Sequence, residues 1–332
     1  FKDVEVFGPH AEPDGNFPNV PGHVSNPENV AVFDAIIERA KESGAELIMA
    51  TDPDCDRLGC AAPLTLSADS DWGTFSGNQI GALLVDYALE SSPGLAADNY
   101  VVKTLVTTEM IRRIGDSYGV RTCGDLLVGF KWIGGVIDEQ GPDKFVLGCE
   151  ESHGYLVGQY ARDKDAAVAC LLMSELAAQL KAAGKSVHEK LDDLFWQHGA
   201  HLERLITFQM EGSEGMANMQ RLMARFRSDP PSQLGGIAVD SVRDYLQSTI
   251  TRDAESLPLD GPVGDMVILD LAEKGNYVAV RPSGTEPKAK FYMFAFTPAE
   301  LSKPSSCIRL LRPTRTSSPS TRPRTPRPAR LS

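Results

Sequence analysis

Along the first two-thirds of the chain, apolar residues at helical spacing alternate with short apolar runs, and this rhythm predicts most of the elements. Over 29–42, Val30, Phe33, Ile36, Ile37 and Ala40 share one face, which predicts an amphipathic helix. The run Ala45-Glu46-Leu47-Ile48-Met49-Ala50 that follows reads as a strand. Further helices are expected over 80–89, 110–118 and 165–183, the last ending at Gly184, and strands over 100–106 and 144–148. A short strand is also expected at Val4-Glu5-Val6-Phe7, ahead of a Pro-, Gly- and Asn-rich loop over 13–27.

From about residue 200 the period shortens to two, in 267–271, 277–280 and 290–294. The expected fold is therefore α/β: two α/β domains with mixed, mostly parallel sheets, then a C-terminal α+β domain with an antiparallel sheet. The length of 332 residues suits two or three domains, each able to bury its own core.

Composition narrows the class. A hydrophobic share of 42% fits a globular protein, and no apolar run approaches the length of a membrane span. The chain opens at Phe1 without the charged and apolar regions of a signal peptide, so a soluble, cytoplasmic protein with no membrane partner is expected. The same start suggests that the sequence begins inside a larger protein. Cys55, Cys60, Cys123, Cys149, Cys170 and Cys307 stand singly and read as buried reduced thiols.

The net charge of −12 hides an asymmetry, because 303–332 holds eight Lys or Arg and no acid, which leaves the rest of the chain at −20. An acidic body argues against a nucleic-acid partner. The basic tail, rich in Pro, Ser and Thr, is expected to be disordered. Thr297-Pro298-Ala299-Glu300 has the form of a capping box that should start a helix, yet Lys303-Pro304-Ser305-Ser306 stops it at once, as a frame error or a foreign end would.

The candidate chemistry begins at Thr51-Asp52-Pro53-Asp54-Cys55-Asp56-Arg57. In an extended segment Asp52, Asp54 and Asp56 would point one way, and an all-oxygen set suits Mg²⁺, Mn²⁺ or Ca²⁺. An EF-hand is excluded, since its Gly and Glu positions hold Arg57 and Pro63. An Asx-rich surface turn remains a rival, and context has to decide.

Four other stretches carry possible function. Arg281-Pro282-Ser283-Gly284-Thr285-Glu286-Pro287 lies between two strands and offers a guanidinium, hydroxyls and a glycine turn to one anion, or forms a plain hairpin turn. Gly148-Cys149-Glu150-Glu151-Ser152-His153-Gly154 follows a strand end, where α/β sheets bind ligands, though a solvated acidic turn would look the same. His153 by itself reads as a surface residue. Lys131, in Gly129-Phe130-Lys131-Trp132-Ile133, could attract a phosphate. Lys164, in Arg162-Asp163-Lys164-Asp165, could move a proton if desolvation lowered its pKa; each alone also fits a solvent-facing cation.

In their order along the chain, TDPDCDR, Gly77-Asn78-Gln79-Ile80-Gly81, GFKWI, CEESHG, the Lys164-Asp165 pair and RPSGTEPK resemble the α-D-phosphohexomutase family, the phosphoglucomutases and phosphomannomutases. The likeness runs from about residue 5 to about 300, and is closest to phosphoglucomutase or phosphopentomutase-like members. It implies 1–72 as part of the family's second domain, 73–198 as the third, 199–302 as the fourth, and 303–332 as a basic tail that is possibly artefactual. The family's first domain then lies outside the chain. The resemblance implies that Asp52, Asp54 and Asp56 hold Mg²⁺, that Arg57 reaches the phosphoryl group, and that Lys131 and Lys164 stand near the reaction centre. It assigns Glu150 and Ser152 to sugar hydroxyls, and Arg281, Ser283, Gly284 and Thr285 to the phosphate that is not being transferred.

The implied activity is an intramolecular phosphotransferase that interconverts hexose 1-phosphate and hexose 6-phosphate, of glucose first, with a sugar 1,6-bisphosphate as intermediate and activator. Phosphopentomutase or phosphomannomutase activity is the alternative, and a non-catalytic sugar-phosphate-binding protein is the alternative of another class. Family chemistry needs a phosphoserine in a T-A-S-H-N-P type loop, and the sequence has none. Ser25, in His23-Val24-Ser25-Asn26-Pro27, is rejected as that nucleophile, because Asn26-Pro27-Glu28 matches a P-N-P-E type segment of the second domain. The chain alone is therefore expected to be inactive. Thr51 and Cys55 depart from the Asn and Ala commoner in the family, and His153 stands where members vary; none of these removes a ligand.

Overall fold

The computed structural model describes residues 3–210, 212, 214–283 and 287–299. Helices α1 (Gly8–Ala11) and α2 (Asp34–Ser43) precede a three-stranded sheet of β1 (Ile48–Thr51), β2 (Leu58–Pro63) and β3 (Trp72–Thr74). Residues 4–7 are not a strand, and the expected helix over 29–42 is split. Asn29 accepts the N–H of Ala31 and starts a 3₁₀ turn, Val30–Phe33, so the α-helix begins only at Asp34.

A second unit follows. It contains α3 (Gly77–Ser91), β4 (Tyr100–Lys103), α4 (Met110–Ser117), β5 (Arg121–Cys123), α5 (Phe130–Gln140), β6 (Phe145–Cys149), β7 (Tyr155–Val157), α6 (Ala166–Ala182) and α7 (Val187–His198). Its sheet runs β5-β4-β6-β7, with β4 parallel to both β5 and β6, and β7 antiparallel to β6. β4 stops at Lys103, short of the expected 106, because Thr107 N–H returns to the Thr104 carbonyl in a turn.

The third unit is an antiparallel sheet. Its members are β8 (Ala200–Gln209), helix α8 (Gly215–Ser228), then β9 (Gln233–Leu234), β10 (Ile237–Asp244), β11 (Thr249–Arg252), β12 (Glu255–Pro258), β13 (Val267–Leu271), β14 (Tyr277–Pro282) and β15 (Lys288–Thr297). The order is β12-β11-β10-β13-β14-β15-β8, with β9 on β10. Thus the α/β plan with one mixed and one antiparallel sheet is present. Within it, β1 to β3 pair antiparallel, since the short loop between β1 and β2 is too brief for a parallel crossover.

The units share cores. Leu58, Cys60 and Ala62 of β2 pack with α3, β6, α6 and α7 in one cluster. Leu105 and Val106 of the second unit pack with Tyr245, Ile268, Tyr277, Tyr292 and Phe294 of the third. Helix α3 is buried over most of its length and is closed at its start by a capping box, Ser76 with Gln79. No single helix among the described residues is long and apolar enough to cross a membrane. Of the helix expected to begin at 298 only Pro298 and Ala299 are described, and the tail over 303–332 lies outside the described residues.

Candidate functional site

The aspartate loop is the connection of the β1–β2 hairpin, whose last pair is Thr51 with Leu58. The loop is not extended, so the expected alternation of side chains is not what gathers the carboxylates. Cys55 N–H bonds the Asp52 carbonyl at 3.0 Å and Cys55 takes φ 56°, which turns the chain tightly. Asp52 Oδ1 accepts the N–H groups of Asp56 (3.1 Å) and Arg57 (3.0 Å), folding the loop around its first carboxylate. As a result one oxygen each from Asp52, Asp54 and Asp56 lies within 4.8 Å of the others.

The donor set fits a hard divalent cation. Asp56 Oδ1 is sealed from solvent without a hydrogen-bond partner, and an orphaned carboxylate oxygen beside two other carboxylates calls for a cation. Burial, with the neighbouring Asp56, raises the Asp52 pKa. Burial also pushes Asp56 up, but hydrogen bonding and charge from Lys164, with help from Arg57, outweigh it and leave Asp56 below its usual value.

Lys164, just before α6, donates from Nζ to Asp56 Oδ2 at 2.6 Å. Its pKa is raised: burial would lower it, but Asp56, Asp163 and Glu150 win. The lowered pKa entertained for this lysine from its sequence context is therefore wrong in direction, because the loop supplies a carboxylate partner. Arg57 Nη1 donates to Glu28 Oε1 at 3.2 Å, while its Nε lies 3.6 Å from Asp52 and 3.7 Å from Asp56.

The Glu150–Gly154 stretch is also a hairpin connection, between β6 and β7, closed by Glu150 N–H on the Gly154 carbonyl. It is not a solvated turn. Glu150 is 3% exposed and accepts the N–H of Gly129 at 2.7 Å, at the start of α5. Burial raises its pKa against that bond and against Lys164. Ser152 is half-buried beside it.

His153 is not a surface residue either. It is 6% exposed, and its Nδ1–H donates to the Leu58 carbonyl at 2.9 Å, while Leu58 N–H donates to the His153 carbonyl at 3.0 Å. A bridge between Arg57 and Gly154 completes this stitch. Two loops far apart in sequence are thus sewn edge to edge, with Lys164 reaching from the second unit to the first.

Arg281 near the end of β14 pairs across the strands with Lys290 on β15. Its Nε and Nη2 donate to Tyr292 Oη at 3.2 and 3.1 Å. The charge of Arg281 favours the ionised forms of Glu150 and Glu151. Ser283, half-buried, donates its N–H to the Lys288 carbonyl at 2.8 Å, while Gly284 and Thr285 lie outside the described residues. Lys131, in the first turn of α5, is exposed, with its ammonium 5.3 Å from the Trp132 ring; among the described residues no hydrogen bond or ion pair links it to the aspartates or to Glu150.

Three residues around these loops escaped the sequence reading. Glu28 was visible only as part of the Asn26-Pro27-Glu28 segment, yet it holds Arg57. Glu151 was passed over beside Glu150, and Lys290 could have been found by counting back across the turn from Arg281 along alternating strands. Cys55, read as a buried thiol, is exposed at the tip of the aspartate turn.

The comparisons with known proteins agree with this layout. Residues 1–64 match the family model for phosphoglucomutase/phosphomannomutase alpha/beta/alpha domain II, and residues 76–197 match the model for alpha/beta/alpha domain III. The chain is 34% identical over 297 residues to a phosphoglucomutase of Staphylococcus aureus, covering 88% of this chain and 52% of the relative. It is 32% identical over 296 residues to a phosphoglucomutase of Staphylococcus epidermidis, covering 88% and 53%. The chain thus spans about half the length of the curated relatives it matches.

Among solved structures, the fold is shared with the pp63/parafusin phosphoglucomutase of Paramecium, with TM-score 0.61, 17% identity, and 90% and 49% of the two chains covered. A phosphoglucomutase/phosphomannomutase family protein of Burkholderia thailandensis gives TM-score 0.56 at 20% identity, covering 87% and 50%. The fold and the two hairpin loops define a multi-unit α/β protein of the phosphosugar mutase class. The chain belongs to the α-D-phosphohexomutase family.

Proposed function

We propose that the protein to which this chain belongs interconverts hexose 1-phosphate and hexose 6-phosphate, with glucose as the first sugar to test, through a bisphosphorylated sugar. One observation carries the reading: the aspartate loop and the Glu150 hairpin, drawn from two units, are stitched together by Leu58–His153 and by Lys164–Asp56, which supports one shared site to which the third unit adds Arg281. Phosphoryl transfer depends chiefly on placing groups and neutralising charge, and the chain offers an aspartate cluster for a cation and the cross-strand pair Arg281 and Lys290 for an anion.

In this reading Asp52, Asp54 and Asp56 would hold Mg²⁺, whose chemistry is to neutralise charge on a phosphoryl oxygen. Arg57, held by Glu28, directs its guanidinium toward the same end. Glu150 and Ser152 orient sugar hydroxyls, and Arg281 and Ser283, with Gly284 and Thr285, take the phosphate that is not in transfer. Lys164 holds its proton on Nζ against Asp56 and can donate it to a sugar oxygen only when that pair opens. Lys131 remains a proposed contributor at the rim. The serine that carries the phosphoryl group is assigned to a segment outside these residues, so this chain by itself is inactive. Domain limits of 1–72, 73–198 and 199–302 go with this assignment, with β3 straddling the first of them.

Calorimetric titration of the chain with Mg²⁺ and glucose 1,6-bisphosphate tests the site. Arg281→Ala should weaken the sugar bisphosphate at least about tenfold, the value of a lost charge-assisted bond; unchanged affinity would show that the cationic end is misassigned. Turnover of glucose, mannose and ribose phosphates by a protein that includes this chain identifies the sugar, and turnover by the chain alone would refute the assignment of the serine.

A further inference from the structure

Three thiols, of Cys55, Cys60 and Cys170, gather between helix α6 and the β1–β2 hairpin, and the mutase reading gives none of them a task. The helix is anchored to the hairpin at two points. At its first residue the Ala166 N–H donates to the Cys55 carbonyl at 3.0 Å, at the tip of the aspartate turn. Two turns on, Ser174 Oγ donates to the Cys170 carbonyl at 2.8 Å and lies 3.5 Å from Met49 Sδ on β1. Residues 166, 170 and 174 form one stripe of the helix, so Cys170 sits between the two anchors on the side that meets the hairpin. Cys60 on β2 is the register partner of Met49, and Cys170 packs against the core cluster that contains Cys60.

Exposure separates the three. Cys55 is exposed, Cys170 is half-buried and Cys60 is enclosed, so an oxidant from solvent meets Cys55 first. Side chains on a helix lean toward its N-terminus, which aims the Cys170 thiol back along the axis toward Ala166 and hence toward Cys55. The axial step from Ala166 to Cys170 is about 6 Å, comparable with the Cα spacing of about 4.4–6.8 Å that a disulfide spans. Burial pushes the Cys170 thiol up to about 11, with Cys55 and then Asp165 the next charges in its field, so it rests as a neutral thiol. Cys55 also stands between Asp54 and Asp56, so fixing its side chain to α6 moves both carboxylates relative to Asp52.

We propose that Cys55 and Cys170 form an oxidation site: a hydroperoxide joins them in a disulfide that draws the aspartate turn toward α6 and weakens its hold on a divalent cation. The proposal rests on the metal assignment in the mutase reading above. In the first step the Cys55 sulfur attacks one peroxide oxygen, the O–O bond breaks, and water or an alcohol leaves a sulfenic acid behind. In the second the Cys170 sulfur attacks that sulfur, the S–S bond forms and the S–O bond breaks, and the hydroxyl departs with the Cys170 proton as water. Two electrons pass from the two thiols to the peroxide. Because the cation favours the reduced turn and the disulfide favours the displaced one, each opposes the other.

The test treats the chain with hydrogen peroxide at pH 8, blocks the remaining thiols with iodoacetamide and maps cysteine pairs by mass spectrometry of the digest. The expected product carries a Cys55–Cys170 bond that dithiothreitol reopens. Cys170→Ser should stop at a Cys55 sulfenic acid that dimedone traps, and Cys60→Ser should close the bond as the unsubstituted chain does, with thermal melts to confirm that each variant folds. Calorimetric titration should give the oxidised chain an Mg²⁺ affinity at least about tenfold below that of the reduced chain, restored by dithiothreitol. A bond from Cys55 to any other cysteine, or a sulfenic acid that never closes in the unsubstituted chain, overturns the proposal. So does a Cys55–Cys170 bond that leaves Mg²⁺ affinity unchanged. A reduced chain that binds no Mg²⁺ overturns the metal assignment and this proposal with it, whereas Mg²⁺ binding by the reduced chain without bond formation under peroxide removes this proposal alone.

Discussion

Asp52 and Asp54 sit in the same loop under different constraints. Asp52 is nearly buried and spends Oδ1 on two backbone N–H groups, whereas Asp54 is exposed at the turn. Asp54→Asn should therefore leave the melting temperature within the range of a neutral surface change, about 0.5 kcal/mol, while weakening Mg²⁺ or Mn²⁺ at least about tenfold. Asp52→Ala should do both kinds of harm, costing about 1–3 kcal/mol for the abandoned N–H groups. Metal titrations and denaturant melts on the two variants separate a ligand from a ligand that also shapes its loop; equal stability loss in both would contradict this division. The aspartates were legible in the sequence as a spacing, but the way they converge was not. Strand alternation would have aimed them alike, and instead a turn at Cys55, with positive φ on a non-glycine residue, brings them together.

At the scale of elements, α3 is the part that seats the Glu150 hairpin. Its first residue, Gly77, lies so close that any Cβ would meet the Glu151 carbonyl at 2.1 Å, backbone against backbone. Gly77→Ala should destabilise the protein by about 1–3 kcal/mol, the usual cost of overpacking, and should displace the hairpin enough to weaken sugar-phosphate binding; a variant that melts and binds like the unsubstituted chain would refute the role of this contact. The periodicity of α3 was readable, and so were β6 and α6, because their apolar faces are long and uninterrupted. What one sequence could not disclose was pairing between distant loops. His153 looked polar and exposed because its partner, the Leu58 carbonyl, lies 95 positions away, and the segment at 4–7 looked like a strand although no strand among the described residues pairs with it.

Across the whole molecule, the junction of the second and third units is built from buried charge and two imidazoles. Lys103 is fully enclosed, bonding the carbonyls of Thr104 and Thr107 and pairing with Glu109 at 2.6 Å. His201 lies against Phe296, which also carries the Arg113 guanidinium at 4.0 Å. Its Nε2 has no partner, and burial, with Arg113 next, pushes its pKa down to about 3. The folded state thus resists a proton that the unfolded chain accepts near pH 6.5, so stability is complete above that value and declines as pH falls toward 3. The slope approaches 1.4 kcal/mol per pH unit for one proton. His201→Phe should flatten the fall of melting temperature between pH 6.5 and 4; an unchanged profile would locate the acid sensitivity elsewhere.

Between His198 and His201, Gly199 adopts φ 93° in a space where a Cβ would strike Phe296 at 2.5 Å. From there β8 runs its whole length alongside β15, from Ala200 opposite Thr297 to Gln209 opposite Lys288, and Arg281 lies near the far end. The ladder spans roughly 30 Å and begins at a single glycine. A side chain at Gly199 would therefore have to be absorbed where this ladder begins, and Gly199→Ala should displace the β8 end of the sheet before it disturbs the strand end that carries Arg281.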